Sequence, residues 1–159
     1  MRVALVHDWL VAHRGGEAVL LELAHMFPDA PIYTLVLDRD KVHPELSQRE
    51  IFTSFIQDLP GSPSGFRRYL PLFPAAIERF DLSSYDLVLS TSHCAAKGVF
   101  TGDAPHISYI HTPMRYAWGQ RSQYAPKGKA ATLARPVFEL GAAWLRRWDL
   151  ESAQRPTKL

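Results

Sequence analysis

The chain has 159 residues, 47% of them hydrophobic and 21% charged, with 9 Gly and 12 Pro, a composition and length that suit one globular domain and exclude disorder, collagen and repeat arrays. Eighteen Lys and Arg nearly balance 16 Asp and Glu, for a formal charge of +2, so no nucleic-acid partner is expected. The single cysteine, Cys94, excludes an intramolecular disulfide framework and points to a reducing compartment. The opening apolar run is too short for a signal-peptide core, and no stretch reaches the roughly 18 apolar residues of a spanning helix. The expected location is the cytoplasm, with a peripheral contact at the inner face of the membrane as an option.

In chain order, short apolar runs at Arg2–Val6, Ile32–Leu37, Leu87–Leu89 and His106–Ile110 predict strands. The first and third are nearly continuous, as in strands buried on both faces of a parallel sheet. Glu50–Phe55 offers a further short strand. Between the first two runs, Gly16–Met26 sets Val19, Leu20, Leu23 and Met26 at helical spacing, after Gly15-Gly16 and before Pro28. Ser64–Phe80 is helical in part, broken or kinked by Pro71 and Pro74. The clearest helix spans Ala134–Ala153, with Val137, Leu140, Trp144, Leu145 and Trp148 as its apolar face. Strand and helix alternate, which predicts an α/β, Rossmann-like three-layer sandwich with a mostly parallel sheet.

In such sheets ligands lie beyond the carboxyl ends of the strands, which directs attention to His7-Asp8-Trp9, Ser90-Thr91-Ser92-His93-Cys94 and His111-Thr112-Pro113. Arg14-Gly15-Gly16-Glu17 stands between a strand and a helix, where glycines let a backbone approach a ligand and the helix terminus favours an anion, a phosphate first of all. A tight turn into the helix is the alternative, with Glu17 a first-turn partner of the dipole. No GxGxxG, P-loop or GxSxG sequence occurs. His111 could hydrogen-bond a sugar hydroxyl or a phosphate, or move a proton. Asp8 could bind a hydroxyl or cap a turn. His93 and Cys94 match no zinc spacing, so neither a metal nor a cofactor is expected. Arg67 and Arg68, within Phe66–Pro74, could meet an anionic membrane; a core-facing kinked helix is the alternative.

Taken together, Val3-Ala4-Leu5-Val6-His7-Asp8-Trp9-Leu10, Arg14-Gly15-Gly16-Glu17, Ile32-Tyr33-Thr34-Leu35, Ser90 to Gly98 and His111-Thr112-Pro113-Met114-Arg115-Tyr116-Ala117-Trp118 resemble the amino-terminal half of the bacterial, mannosyltransferase-like branch of glycosyltransferase family four. The resemblance implies a retaining enzyme of the GT-B fold, whose first domain faces the acceptor and whose second holds a nucleotide-sugar. It places Gly15 and Gly16 at the donor phosphate and His111 at the catalytic position beside the transferred sugar. Asp8, His93, Arg115 and Tyr116 then face the acceptor or the cleft. The implied function is transfer to a glycan or lipid-linked acceptor in cell-surface or exopolysaccharide synthesis, without a metal. No two glutamates stand eight apart, so the Glu-x7-Glu element of the second domain is missing. The expected organisation is one domain over residues 1–153 and a tail over 154–159. Such a chain alone is expected to be catalytically silent and prone to self-association. A non-catalytic Rossmann-like binding module is the competing reading.

Overall fold

A computed structural model describes residues 1–115, 117–118 and 131–159, with 131–138 as backbone. Five parallel strands form one sheet: β1 (Val3–His7), β2 (Ile32–Thr34), β3 (Ile51–Thr53), β4 (Leu87–Ser92) and β5 (His106–Ile110), in the order β3-β2-β1-β4-β5. Every pairing is parallel, with Leu5 opposite Ile32 on one side and Leu89 on the other. Among the described residues the helices are α1 (Gly15–Met26), α2 (Pro44–Ser47), α3 (Phe73–Ile77) and α4 (Ala131–Ser152), supplemented by 3-10 turns.

The sandwich follows from the two-residue alternation of a buried strand. Val3 and Leu5 of β1 join Leu20 and Ala24 of α1 and Leu46 of α2 in one core. Ala4 and Val6 point the other way, into a core with Phe66, Phe73, Ile77, Leu145 and Trp148. Helices α1 and α2 therefore cover one face, while α3, α4 and the 3-10 turn Phe66–Leu72 cover the other. A three-layer α/β sandwich with an all-parallel sheet is the fold.

Three elements depart from the expected boundaries. β2 ends at Thr34 because Leu35 to Leu37 turn to pair with the chain beyond β1, through Leu10 N–H to Val36 O at 2.8 Å and Asp38 N–H to Leu10 O at 2.7 Å. β4 extends past Leu89 to Ser92, because the hydroxyls of Ser90 and Thr91 find buried partners: Ser90 Oγ lies 2.8 Å from both His106 Nε2 and Ser108 Oγ, and Thr91 Oγ1 lies 2.5 Å from His7 Nδ1. Among the described side chains of α4 the buried ones are Ala142, Leu145, Trp148, Asp149 and Ser152, whereas Leu140 and Trp144 are exposed and Val137 lies outside the described side chains. The expected apolar face is thus rotated, by polar side chains that bury with partners.

The last residues are pinned rather than loose. Thr157 N–H donates to His106 O at 2.7 Å and Ser108 N–H donates to Lys158 O at 2.9 Å, so the outer edge of β5 is paired. No helix among the described residues is long and apolar enough to cross a membrane.

Candidate functional site

The strand order reverses direction between β1 and β4, the place where an open parallel sheet splits to make a crevice. A cavity of about 570 Å³ opens there, lined by Trp9, Arg14, Gly15, Gly16, Glu17, Arg67, His93, His111, Thr112 and Arg115. Arg14 precedes the first turn of α1 in extended backbone, and Glu17 reaches back to accept its N–H at 3.0 Å. Glu17 is thereby a first-turn capping group. The N–H groups of that first turn have no carbonyl four residues back to bond, and they carry the positive end of the helix dipole.

Asp8 is fully buried, and its carboxylate accepts four backbone N–H bonds: His93 at 2.6 Å and Cys94 at 2.9 Å on Oδ2, Ala95 at 2.6 Å and Ala96 at 2.7 Å on Oδ1. Burial alone would raise its pKa, but the His93 and His7 imidazoles and the donated N–H groups hold it below the ordinary carboxylate value. Of the two roles open to Asp8, the hydroxyl contact is corrected: the side chain organises the loop after β4 and is shut away from the cavity. Its neighbour His93 does line the cavity, with Nδ1 3.1 Å from Asp8 Oδ2 and its ring edge-on to Trp9 at 4.4 Å between centroids.

His111 reaches the same cavity from the end of β5, anchored by its N–H to Ser92 O at 2.9 Å. His7 lies beneath it, fully buried, its pKa lowered to about 4 by burial. The pKa of His111 is also lowered, by burial and by the neighbouring His93, so both rings are neutral near pH 7. Gly16 sits against the pair: a Cβ there would stand 3.5 Å from His7 Cε1 and 3.6 Å from His111 Nε2. Six buried side-chain polar atoms lack a hydrogen-bond partner among the described residues. Four of them, His7 Nε2, Ser92 Oγ, His111 Nε2 and Thr112 Oγ1, stand at or just beyond the carboxyl ends of β1, β4 and β5. Unpaired buried polar atoms are uncommon enough that such a cluster marks a place for a polar ligand or water.

The paired arginines separate. Arg67 lies over the Trp9 and Phe66 rings, 5.7 and 4.7 Å from their centroids, and lines the cavity. Arg68 instead packs on the Gly61–Gly65 loop, its Nε donating to Gly65 O at 3.1 Å. Phe66 and Phe73 are core residues, so of the two readings of this segment the kinked, core-facing one describes its apolar side chains. Arg115 is an exposed lining residue, and Tyr116 lies outside the described residues. Cys94 is buried, and burial followed by the Asp8 charge pushes its thiol well above the ordinary value, which removes it as a nucleophile.

One part of the site's support is invisible in the sequence. Lys97, in the loop that Asp8 organises, is buried and bonds Asp149 Oδ1 of α4 at 2.5 Å, while Trp118 Nε1 donates to Asp149 Oδ2 at 2.8 Å. Gly98 lets α4 come this close: a Cβ there would fall 2.5 Å from Trp148 Cζ2. A lysine within a run of small residues and an aspartate within an apolar helix are the only local signals of the pair.

Among the described residues no group of three or more His, Cys, Asp or Glu is placed to hold a metal ion. Comparison with known protein families, with curated proteins and with solved structures gives no match to this chain.

Proposed function

We propose that these residues form the acceptor-side domain of a retaining glycosyltransferase, which moves a sugar from a nucleotide-sugar to a glycan or lipid-linked acceptor. The observation that carries this reading is the juxtaposition, across Gly16, of a helix N-terminus with neutral His111 and the orphan polar atoms around it. An anion suits the first and a polyol the second, because a neutral imidazole can donate to or accept from a hydroxyl. A diphosphate joined to a sugar carries both chemistries in one molecule. The resemblance of the block His111 to Trp118 to family-four transferases supports the same assignment.

In this reading a second domain holds the nucleotide across the cleft, and the described residues supply one wall. Gly15 and Gly16 admit the diphosphate to the first turn of α1, and His111 orients a hydroxyl of the transferred sugar. Among the described residues, the carboxylates of Asp8 and Glu17 beside the cavity are engaged by backbone N–H groups. The resemblance to family-four transferases implies that the acceptor proton passes to the departing donor phosphate. The same engagement favours the second reading, a binding module that holds such a ligand without turnover.

Calorimetric titration of the chain with inorganic pyrophosphate, UDP-glucose and GDP-mannose, with nucleotide release followed in parallel, tests the proposal. Weak binding, lowered about tenfold by Gly16→Val, and no turnover by these 159 residues are expected, since a one-walled site leaves its hydrogen bonds in competition with water. Joined to a donor-binding domain, the protein should transfer sugar, and His111→Ala should slow transfer by about 10²-fold or more. Binding indifferent to Gly16→Val, or turnover by the 159 residues alone, overturns the assignment. Binding without transfer in the two-domain protein selects the binding module.

A further inference from the structure

Asp8 and His93 form a pair whose two members face different surroundings. Asp8 is fully buried just after β1. Although burial opposes its charge, the neighbouring imidazoles and the N–H groups it accepts hold its pKa below the ordinary carboxylate value, so it is ionised. His93 lies on the cavity wall with its side chain 28% exposed, and its Nδ1 stands 3.1 Å from Asp8 Oδ2. An anionic oxygen at that distance opposes a lone pair on Nδ1 and favours a proton there. A neutral imidazole carries a single N–H, so the lone pair falls to Nε2, which bonds no described residue. The same Oδ2 accepts the His93 backbone N–H at 2.6 Å, and Trp9 meets the ring edge-on at 4.4 Å between centroids. Backbone and ring are thus positioned together.

The other ionisable side chains lining the cavity are Arg14, Arg67 and Arg115, whose guanidiniums keep their protons, and Glu17, which caps α1, together with His111. Of the two imidazoles on the wall, His93 has a carboxylate oxygen beside it to stabilise an imidazolium. The His111 ring is 6.5 Å away, centroid to centroid, close enough for one hydroxyl to reach both rings.

We propose that His93 is the general base of this cavity and Asp8 its positioning residue. Nε2 takes the proton of the attacking acceptor hydroxyl as that oxygen bonds the anomeric carbon. The bond from that carbon to the donor phosphate breaks, its electron pair leaves with the nucleoside diphosphate, and the imidazolium returns its proton to solvent. The proposal deepens the transferase reading, on which it rests for the acceptor, and gives a side chain the proton that the resemblance gives to the donor phosphate. The state of the ring is measured without transfer.

Nitrogen-15 NMR of the histidine-labelled chain at pH 8, assigned through the backbone, reads that state. His93 should show a protonated Nδ1 and an unprotonated Nε2, and a proton on Nε2 overturns the proposal. Diethyl pyrocarbonate, which acylates an unprotonated imidazole nitrogen, should modify His93 and exposed His13 while sparing buried His7 and His106. A His93 as inert as the buried pair puts Nε2 out of reach and overturns the proposal too. Both readouts use the wild-type chain, so they stand should a His93 variant fail to fold. In the two-domain protein, His93→Gln should lower kcat by about 10²–10⁴-fold with a smaller change in KM. Added imidazole should restore part of the rate to His93→Gly, a rescue that a merely structural role would not allow. Full transfer by folded His93→Gln, or no rescue of folded His93→Gly, overturns the proposal and returns the proton to the donor phosphate. A wild-type two-domain protein that transfers nothing, with His93 in the expected tautomer and reactive, would overturn the transferase reading and keep His93 as the proton acceptor of the cavity.

Discussion

The two ends of the sheet are built differently. At the amino end the polar groups largely pair with one another or with backbone: Arg2 N–H donates to Asp86 at 2.6 Å, Tyr33 and Tyr85 share a hydroxyl bond of 2.8 Å, and Val88 N–H meets Pro105 O at 2.9 Å. A cavity of about 280 Å³ there is lined mainly by Met, Phe, Pro and other apolar side chains. At the carboxyl end the cavity is twice as large, arginines and imidazoles line it, and four buried polar atoms around it have no partner among the described residues. The lesson is a division of labour within one layer of strands, in which the closed end supplies stability and the open end keeps bonding capacity in reserve. Asp8 is the hinge between these roles, since it stands at the open end yet behaves as a structural group.

The comparison breaks first at Asp8. Asp8→Ala leaves four buried N–H groups without their acceptor and should lower the unfolding free energy by about 3–5 kcal/mol. Asp86→Ala at the amino end, an exposed pair, should lower it by less than about 1 kcal/mol. Urea denaturation compares the two, and equal losses would erase the distinction drawn for Asp8. Gly98→Ala comes next: its methyl would collide with the Trp148 ring, which should cost about 1–3 kcal/mol in the same assay. A neutral result would mean that α4 shifts freely.

The buried histidines sharpen the comparison through pH. Both His7, at the open end, and His106, at the amino end of β5, have pKa values lowered to about 4 by burial. Their unfolded counterparts titrate near 6.5, so as pH falls below 6.5 the unfolded chain gains protons that the folded chain refuses. Stability is full above that value and is lost between about pH 6.5 and 4. Between pH 6.5 and 5.5 each should contribute a loss of about 1 kcal/mol, read from urea midpoints of wild type, His7→Gln and His106→Gln. A slope unchanged by both substitutions would show that they titrate normally. Smallest is the effect of His111→Ala on stability, expected below about 1 kcal/mol because Nε2 bonds no described residue in the folded state. The ligand-binding and transfer losses predicted above for this end should therefore appear without unfolding, and a variant that unfolds would make His111 structural.

Much of this organisation is legible in local pattern. The apolar run from Val3 to Val6 has only one comfortable home, a strand covered on both faces, and the strand-glycine-helix sequence around Gly15 and Gly16 sets the first helix start. The parallel, layered fold follows from the alternation of such elements, and with it the carboxyl-end location of the cavity. Composition and periodicity fix these because burial of apolar surface depends on spacing along the chain.

Only the tertiary structure decided which polar residues are structural. Ser90 and Thr91 look like a loop until His106, Ser108 and His7, from 16 to 84 residues away, supply their partners. Asp149 and Ser152 lie on the buried side of α4 while Leu140 and Trp144 lie outside, because Lys97 and Trp118 engage Asp149. Arg67 and Arg68, adjacent in sequence, part company because one stacks on Trp9 and the other on a glycine loop. A buried hydrogen bond or ion pair is favourable only when both partners meet in the right geometry. That meeting is a property of distant segments brought together, which no local pattern encodes.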